Sequence, residues 1–182
     1  LVGSEMCIRD RFYPDALLTP EEIQDESHYM RYLSIGEQTN FSSPANPSPY
    51  GCGTYKMTFF LPERKETYAL EIPEVFSAYS LYLDHDLILQ MGEPAQGRPL
   101  VQNRMVTFHG GKPVTLTIAV SNYDYFYGGI VYPPAFGTML AVNTTRGIRF
   151  AFCLFSCTVT FVCALLSFYF SRRMKQKNTF LI

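Results

Sequence analysis

The chain has 182 residues, 15 basic and 16 acidic, with 47% hydrophobic and 17% charged side chains and a mean hydropathy of +0.00. These averages hide an uneven chain: residues 12–147 carry 14 acidic and 8 basic side chains, whereas 148–182 carry five basic and no acidic ones. A turn-rich acidic domain followed by a basic, apolar tail is the pattern of neither a purely soluble protein nor a nucleic-acid binder driven by overall positive charge.

Residues 1–11 (LVGSEMCIRDR) resemble translated sequencing-adapter read-through and are set aside as an artefact or a disordered lead-in; with the apolar residues at 178–182 they read as a frame cut at both ends. Thr19-Pro20-Glu21-Glu22 predicts a short helix start, with Thr19 as cap, Pro20 at the first position and Glu22 bonding back to the cap. A first strand is expected over 29–35 and a loop over 40–49, which holds three prolines. Strands follow at 54–61, with Tyr55, Met57 and Phe59 on one face, and after a turn at 62–65, at 67–72 and 78–83. Asp84-His85-Asp86 is a tight connection into 87–90. Gly110-Gly111 between 104–109 and 113–120 predicts a two-residue hairpin, because glycine accepts positive φ without strain. An aromatic loop spans 121–136, and a last strand is expected over 137–142.

Seven or eight short antiparallel strands with little helix predict a mainly β chain: an antiparallel β-sandwich of jelly-roll, galactose-binding-like type over 12–147. With 136 residues it is long enough for one core. Residues 150–170 then run for 21 positions without a charge, about 31 Å as helix against a hydrocarbon core of about 30 Å. A transmembrane helix is therefore expected over 148–171. Arg172, Arg173, Lys175 and Lys177 outnumber Arg146 and Arg149, which places the tail 172–182 in the cytoplasm and the sandwich outside. Cys153, Ser156, Cys157, Thr160, Ala164 and Ser167 recur at helical steps and predict packing against further transmembrane helices. Outside that segment and the lead-in only Cys52 remains, so no internal disulfide is expected.

No catalytic signature is present. His28, His85 and His109 lie far apart, Asp84-His85-Asp86 is read as a polar hairpin tip, and Gly51-x-Gly53 precedes a strand rather than a phosphate-binding helix. Glu63 and Glu66 flank a turn as a solvated pair. The triplets starting at Asn40 and Asn143 match glycosylation acceptors by a pattern common by chance. No metal, cofactor or nucleic-acid partner is expected. The candidate ligand site is the loop residues Asn122, Tyr123, Asp124, Tyr125, Tyr127 and Tyr132, beside Phe126 and Gly128-Gly129. Amide and carboxylate groups bond hydroxyls, and flat rings meet the C–H faces of a sugar, so the expected ligand is a carbohydrate or small polar molecule. The other reading of the same residues is structural: rings closing the sandwich end or docking on a membrane, with Asn122 tying down the loop.

Several strings in order, Gly51-Cys52-Gly53-Thr54-Tyr55-Lys56, Leu70-Glu71-Ile72-Pro73, Ser77-Ala78-Tyr79-Ser80-Leu81-Tyr82-Leu83-Asp84, Val120-Ser121-Asn122-Tyr123, Gly128-Gly129 and Pro134-Ala135-Phe136-Gly137, precede the apolar helix. Their succession resembles the outer sensory region and first helix of bacterial seven-transmembrane receptors with diverse intracellular signalling modules. The resemblance implies an extracytoplasmic jelly-roll sensor for carbohydrate, feeding a seven-helix unit in the bacterial inner membrane and a cytoplasmic cyclase, kinase or phosphatase output. The chain departs from that pattern at Asp84-His85-Asp86, where the family usually has Asn-Gly, and at Asp124-Tyr125-Phe126, where it often carries His or Arg. The rival readings are a singly anchored carbohydrate-binding or adhesion module without signalling, and the non-catalytic β-domain of an anchored glycosidase.

Overall fold

A computed structural model describes residues 11–24, 31–32, 41, 48–61, 66–111 and 113–179. Among them are strands β1 (Arg11–Pro14), β2 (Arg31–Tyr32), β3 (Gly51–Phe59), β4 (Thr67–Ile72), β5 (Ala78–Leu83), β6 (Asp86–Met91), β7 (Arg104–His109), β8 (Val114–Asn122) and β9 (Ala135–Thr138), then helix α1 (Met139–Thr179). All pairings are antiparallel. Six strands form one sheet in the order β2-β1-β3-β8-β5-β6, and three form another in the order β7-β4-β9. The chain changes sheet at almost every connection after β3, so neighbours in sequence seldom pair.

Alternation builds the core. Tyr55, Met57 and Phe59 of β3, Tyr79 and Leu81 of β5, and Leu116, Ile118 and Val120 of β8 are buried together with Tyr68, Leu70 and Ile72 of β4 and Val106 and Phe108 of β7. Inward faces of both sheets therefore supply one apolar layer, the packing of a β-sandwich. Phe136 of β9 stacks on Phe59 of the larger sheet, with centroids 4.9 Å apart, and on Tyr68 and Phe108 of its own.

The expected Gly110-Gly111 hairpin is corrected. β7 pairs with β4, whereas β8 pairs with β3 and β5, so 110–113 crosses between sheets. The reason lies in β8, which is buried at nearly every position and is thus a central strand with two neighbours already. Gly110 N instead donates to Glu66 O at 3.0 Å, and Gly111 takes φ 114° in the crossover. Among the described residues the tight hairpin of the larger sheet is β5–β6: Asp84 adopts φ 54°, its N donates to Thr115 O at 2.7 Å, and its Oδ1 accepts from Thr115 N at 2.9 Å. Asp tolerates this left-handed conformation better than most residues, and the two bonds to Thr115 of the neighbouring β8 hold it there.

Three further boundaries differ. Arg11, set aside with the lead-in, opens β1 opposite Lys56. The helix start at Thr19 yields only a single 3-10 turn, Glu22–Gln24, yet Glu22 Oε2 does accept from Thr19 N at 2.7 Å. The last strand ends at Thr138 rather than 142, because the next residues are helical: no proline interrupts 139–179, and the polar Thr144 and Thr145 donate their hydroxyls to Leu140 O and Ala141 O. Residues 143–147, placed by the sequence reading between the last strand and the apolar helix, are thus part of α1. Of the strand expected at 29–35, Arg31–Tyr32 is described; the rest of it, the turn at 62–65 and most of the loop at 40–49 lie outside the described residues.

The chain divides into two compact units, the first ending at Met139 and the second starting at Leu140. The second holds α1, 41 residues long and about 61 Å in length. It is apolar on all sides and long and apolar enough to cross a bilayer, with no protein covering its apolar window. The hydroxyls of Ser156, Thr158 and Thr160 donate to the carbonyls of Phe152, Leu154 and Ser156.

Candidate functional site

The sequence-predicted loop leaves the sandwich where β8 ends. Asn122 has no exposed surface, and its side chain is wholly engaged: Nδ2 donates to Pro49 O at 2.8 Å and to Tyr125 O, while Oδ1 accepts from Tyr125 N at 3.1 Å. A buried amide with three bonds is a tether. Farther on, the chain is pinned again. Gly129 N donates to Ser77 Oγ at 3.1 Å, Ile130 is buried, and a side chain at Gly128 would strike Pro49 O.

Between these anchors the side chains point outward. Tyr123 is 52% exposed and Phe126 69%, Tyr125 and Tyr127 are exposed to a lesser degree, and Asp124 is exposed; Tyr132, beyond the second anchor, is exposed as well. Phe76 gathers part of the set, its ring centroid lying 5.8 Å from Tyr125 and 6.2 Å from Tyr127, and Phe126 lies 4.3 Å from Tyr127. Tyr123 turns the other way, against Gly97, whose φ of 68° and missing side chain make room for the ring. Of the six predicted residues the structure brings Tyr125 and Tyr127 together around Phe76, sets Tyr123 apart against Gly97, leaves Asp124 and Tyr132 exposed along the segment, and buries Asn122 as support. Phe76 is the aromatic missed by sequence reasoning; its signal was an aromatic residue placed between two strands, just before Ser77.

Cys52 borders this end. Burial pushes its thiol above the ordinary value, the charge of Asp15 adds to the effect, and a hydrogen bond with Tyr123 opposes it. The Tyr123 hydroxyl is raised too, by desolvation first and then by Cys52 and Asp15. Both groups stay protonated at neutral pH, so Cys52 is no activated nucleophile. Among the described residues no three His, Cys, Asp or Glu side chains converge as a metal site requires. The loop offers flat rings, hydroxyls and one carboxylate: chemistry for binding.

The β9 register sets the loop's position. β9 begins with Ala135 opposite Glu71 and ends with Thr138 opposite Tyr68, so within the sandwich the loop and the end of β9 lie at opposite ends of that strand.

No protein-family model matches the chain, and no curated protein matches it in sequence. Solved structures similar to it include a GH2 beta-galacturonidase from Eisenbergiella tayi bound to galacturonate (14% identity, TM-score 0.46, 67% of this chain and 21% of that one) and a beta-glucuronidase from an uncultured Clostridium sp. (12%, 0.47, 74% and 29%). A beta-glucosidase from Kluyveromyces marxianus is similar at 16% identity and a TM-score of 0.42, over 71% of this chain and 16% of that one. The chain spans less than a third of the length of each.

Proposed function

We propose that residues 12–147 form the extracytoplasmic ligand-sensing domain of a bacterial signal-transduction receptor and that α1 is its first membrane-crossing helix, with the basic residues after Phe170 in the cytoplasm. The ligand is a carbohydrate or small polar molecule, met by Tyr123, Asp124, Tyr125, Tyr127 and Tyr132 while Asn122 holds the loop. The observation that carries this reading is a set of exposed rings on a segment pinned at both ends. Exposed aromatic surface costs solvation, and a fixed loop keeps the rings organised for a partner. A crossing α1 is supported by its all-round apolarity and by hydroxyls that find carbonyls within the helix, as a lipid environment demands. At its end Arg172 lies 4.9 Å over Phe168 and Arg173 5.8 Å over Tyr169, an arrangement suited to an interfacial anchor.

A sensor is favoured over a passive anchored module by connectivity. The loop runs into β9, and β9 runs into α1 with no linker between Thr138 and Met139. Any ligand that prefers one position of the loop acts on chain continuous with the helix. The test is calorimetry and thermal shift on the full chain in nanodiscs against a panel of neutral sugars. One or more should bind, and Tyr125→Ala, which leaves the backbone bonds to Asn122 in place, should weaken binding about tenfold, some 1.4 kcal/mol. A panel giving neither heat nor stabilisation, or an unchanged affinity in Tyr125→Ala, refutes the assignment.

A further inference from the structure

The outer face of the six-stranded sheet carries two adjoining depressions. With Tyr55, Met57, Leu81, Leu116 and Ile118 turned into the core, Lys56, Tyr82, Thr115 and Thr117 stand on the opposite face by simple alternation. The register sets Lys56 and Tyr82 directly opposite Thr117, one on each side, at the ~5 Å spacing of cross-strand neighbours. One depression, of about 120 Å³, is lined by Lys56, Thr115 and Thr117 together with Pro20 and the hairpin tip Asp84-His85. The other, of about 230 Å³, is lined by Ser80, Tyr82 and Gln90 together with Leu17, Leu18 and Thr19. Bonds from Leu18 N to Thr54 Oγ1 and from Thr54 Oγ1 to Ala16 O fix the segment that forms their common rim.

Two groups in the smaller depression have unspent capacity. Thr117 has no exposed surface, yet its Oγ1 has no hydrogen-bond partner among the described residues, which folded proteins rarely tolerate. Lys56 is half-buried and makes no ion pair among the described residues. Burial, and then the charge of Arg11, holds its pKa below the ordinary lysine value, so its ammonium lacks compensation. The other charged groups of the wall are engaged: Asp84 Oδ1 accepts from Thr115 N, and His85 Nδ1 lies 3.2 Å from Glu21 Oε1.

We propose that this sheet face is a second ligand site, separate from the 122–132 loop, for a small hydroxycarboxylate whose carboxylate meets Lys56 and Thr117 and whose hydroxylated carbons lie over Tyr82 towards Ser80 and Gln90. Lys56, with Arg11 opposite it on β1 and the Asp84 carboxylate on the same wall, suits a singly charged carboxylate better than a dianion, and the two oxygens of that carboxylate match the two donors Lys56 and Thr117. The larger depression sets the hydroxyl and amide groups of Thr19, Ser80, Tyr82 and Gln90 beside apolar walls that include Leu17, Leu18 and Pro94, which suits a body with hydroxyls on one side and C–H faces on the other.

The experiment titrates the full chain in detergent micelles with D-gluconate and with D-glucose, by calorimetry and thermal shift. In Tyr125→Ala, where the loop's own binding of neutral sugars is weakened, gluconate should bind and raise the melting temperature, and glucose should bind at least about tenfold more weakly. Lys56→Met and Thr117→Val should each weaken gluconate about tenfold. Thr117→Val should itself melt no lower than wild type, because valine fills the same space without an unmet hydroxyl; loss of binding there is then no folding defect. Tyr125→Ala should bind gluconate as wild type does, which separates this site from the loop. No gluconate binding, equal response of Tyr125→Ala to both compounds, wild-type affinity in Lys56→Met and Thr117→Val, or loss of gluconate binding in Tyr125→Ala each overturns the proposal.

Discussion

Replacing Asn122 by Ala should destabilise the sandwich by about 3 kcal/mol. Three hydrogen bonds disappear, to Pro49 O, to Tyr125 O and from Tyr125 N, and the residue they leave has no exposed surface. At about 1 kcal/mol each the net loss is about 3 kcal/mol, falling towards 2 where the two loop carbonyls regain water. For a unit of this size that lowers the melting temperature by roughly 10 °C. Near-UV tyrosine circular dichroism reads it cleanly, because the chain has no Trp and Tyr169 is the one Tyr of α1. Asn122→Asp gives an internal check. It keeps the acceptor for Tyr125 N, loses both donors and places a carboxylate where burial disfavours the charge. Burial raises the folded-state pKa of that carboxyl above its unfolded value, so the deficit against wild type is smallest at acid pH and grows as pH rises through the folded-state pKa. A cost below about 1 kcal/mol for Asn122→Ala, or a pH-independent deficit for Asn122→Asp, would sink the claim that this amide fixes the loop.

Gly97→Ala should cost more than Gly111→Ala, although both residues have positive φ, because a side chain at Gly97 meets the Tyr123 ring at 2.1 Å and one at Gly111 meets nothing within 4 Å. The shared backbone strain is about 1–2 kcal/mol, and adding Tyr123→Ala to Gly97→Ala should recover the excess, which a double-mutant cycle of chemical denaturation measures. Tyr79→Phe should leave stability equal or higher, since the Tyr79 hydroxyl is buried without a partner among the described residues. Burial pushes the Tyr79 pKa up to about 12, with Arg104 opposing, so spectrophotometric titration should show in wild type a phenol that ionises near pH 12 and is absent from Tyr79→Phe. That raised value means Tyr79 favours folding below the unfolded pKa near 10, an effect lost as pH climbs towards 12.

Period-2 alternation was the most readable signal in the sequence. Tyr55, Met57 and Phe59, and Leu116, Ile118 and Val120, face the core as their spacing implies. Asp84-His85 could be read as a turn because Asp tolerates the positive φ that a tight turn needs, although the bonds that hold it reach Thr115 on β8. Gly110-Gly111 misled because a dipeptide reports that the chain bends, not which strand it meets afterwards; partner choice was encoded in the full burial of β8. The start of α1 was hidden by Asn143-Thr144-Thr145, whose loop-like composition is absorbed by hydroxyl bonds to the preceding turn. In the loop, the exposed rings were legible from residue type alone. The place of Asn122 was not, since one of its three bonds reaches Pro49, 73 residues away. An amide poised for a ligand and an amide holding a loop have the same letter, and only the distant carbonyl tells them apart.

The receptor reading places a mechanical demand on β9. This strand has four residues, pairs with β4 alone among the described residues, and on that reading must carry any displacement of the loop towards Met139. Sliding β9 along β4 would break its register and pull Phe136 from its stack with Tyr68 and Phe108, centroids 5.8 and 6.0 Å away. A two-residue slip that preserved the side-chain faces would remove half of a four-residue pairing. The cheaper motion moves β7, β4 and β9 together against the larger sheet, because side-chain packing rather than backbone hydrogen bonding joins the two layers, and Phe59 to Phe136 is the ring contact that crosses them. On the proposed reading, the loop joins β8 of the larger sheet, where Asn122 holds it, to β9 of the smaller one, so a ligand there would bear on the position of one layer against the other.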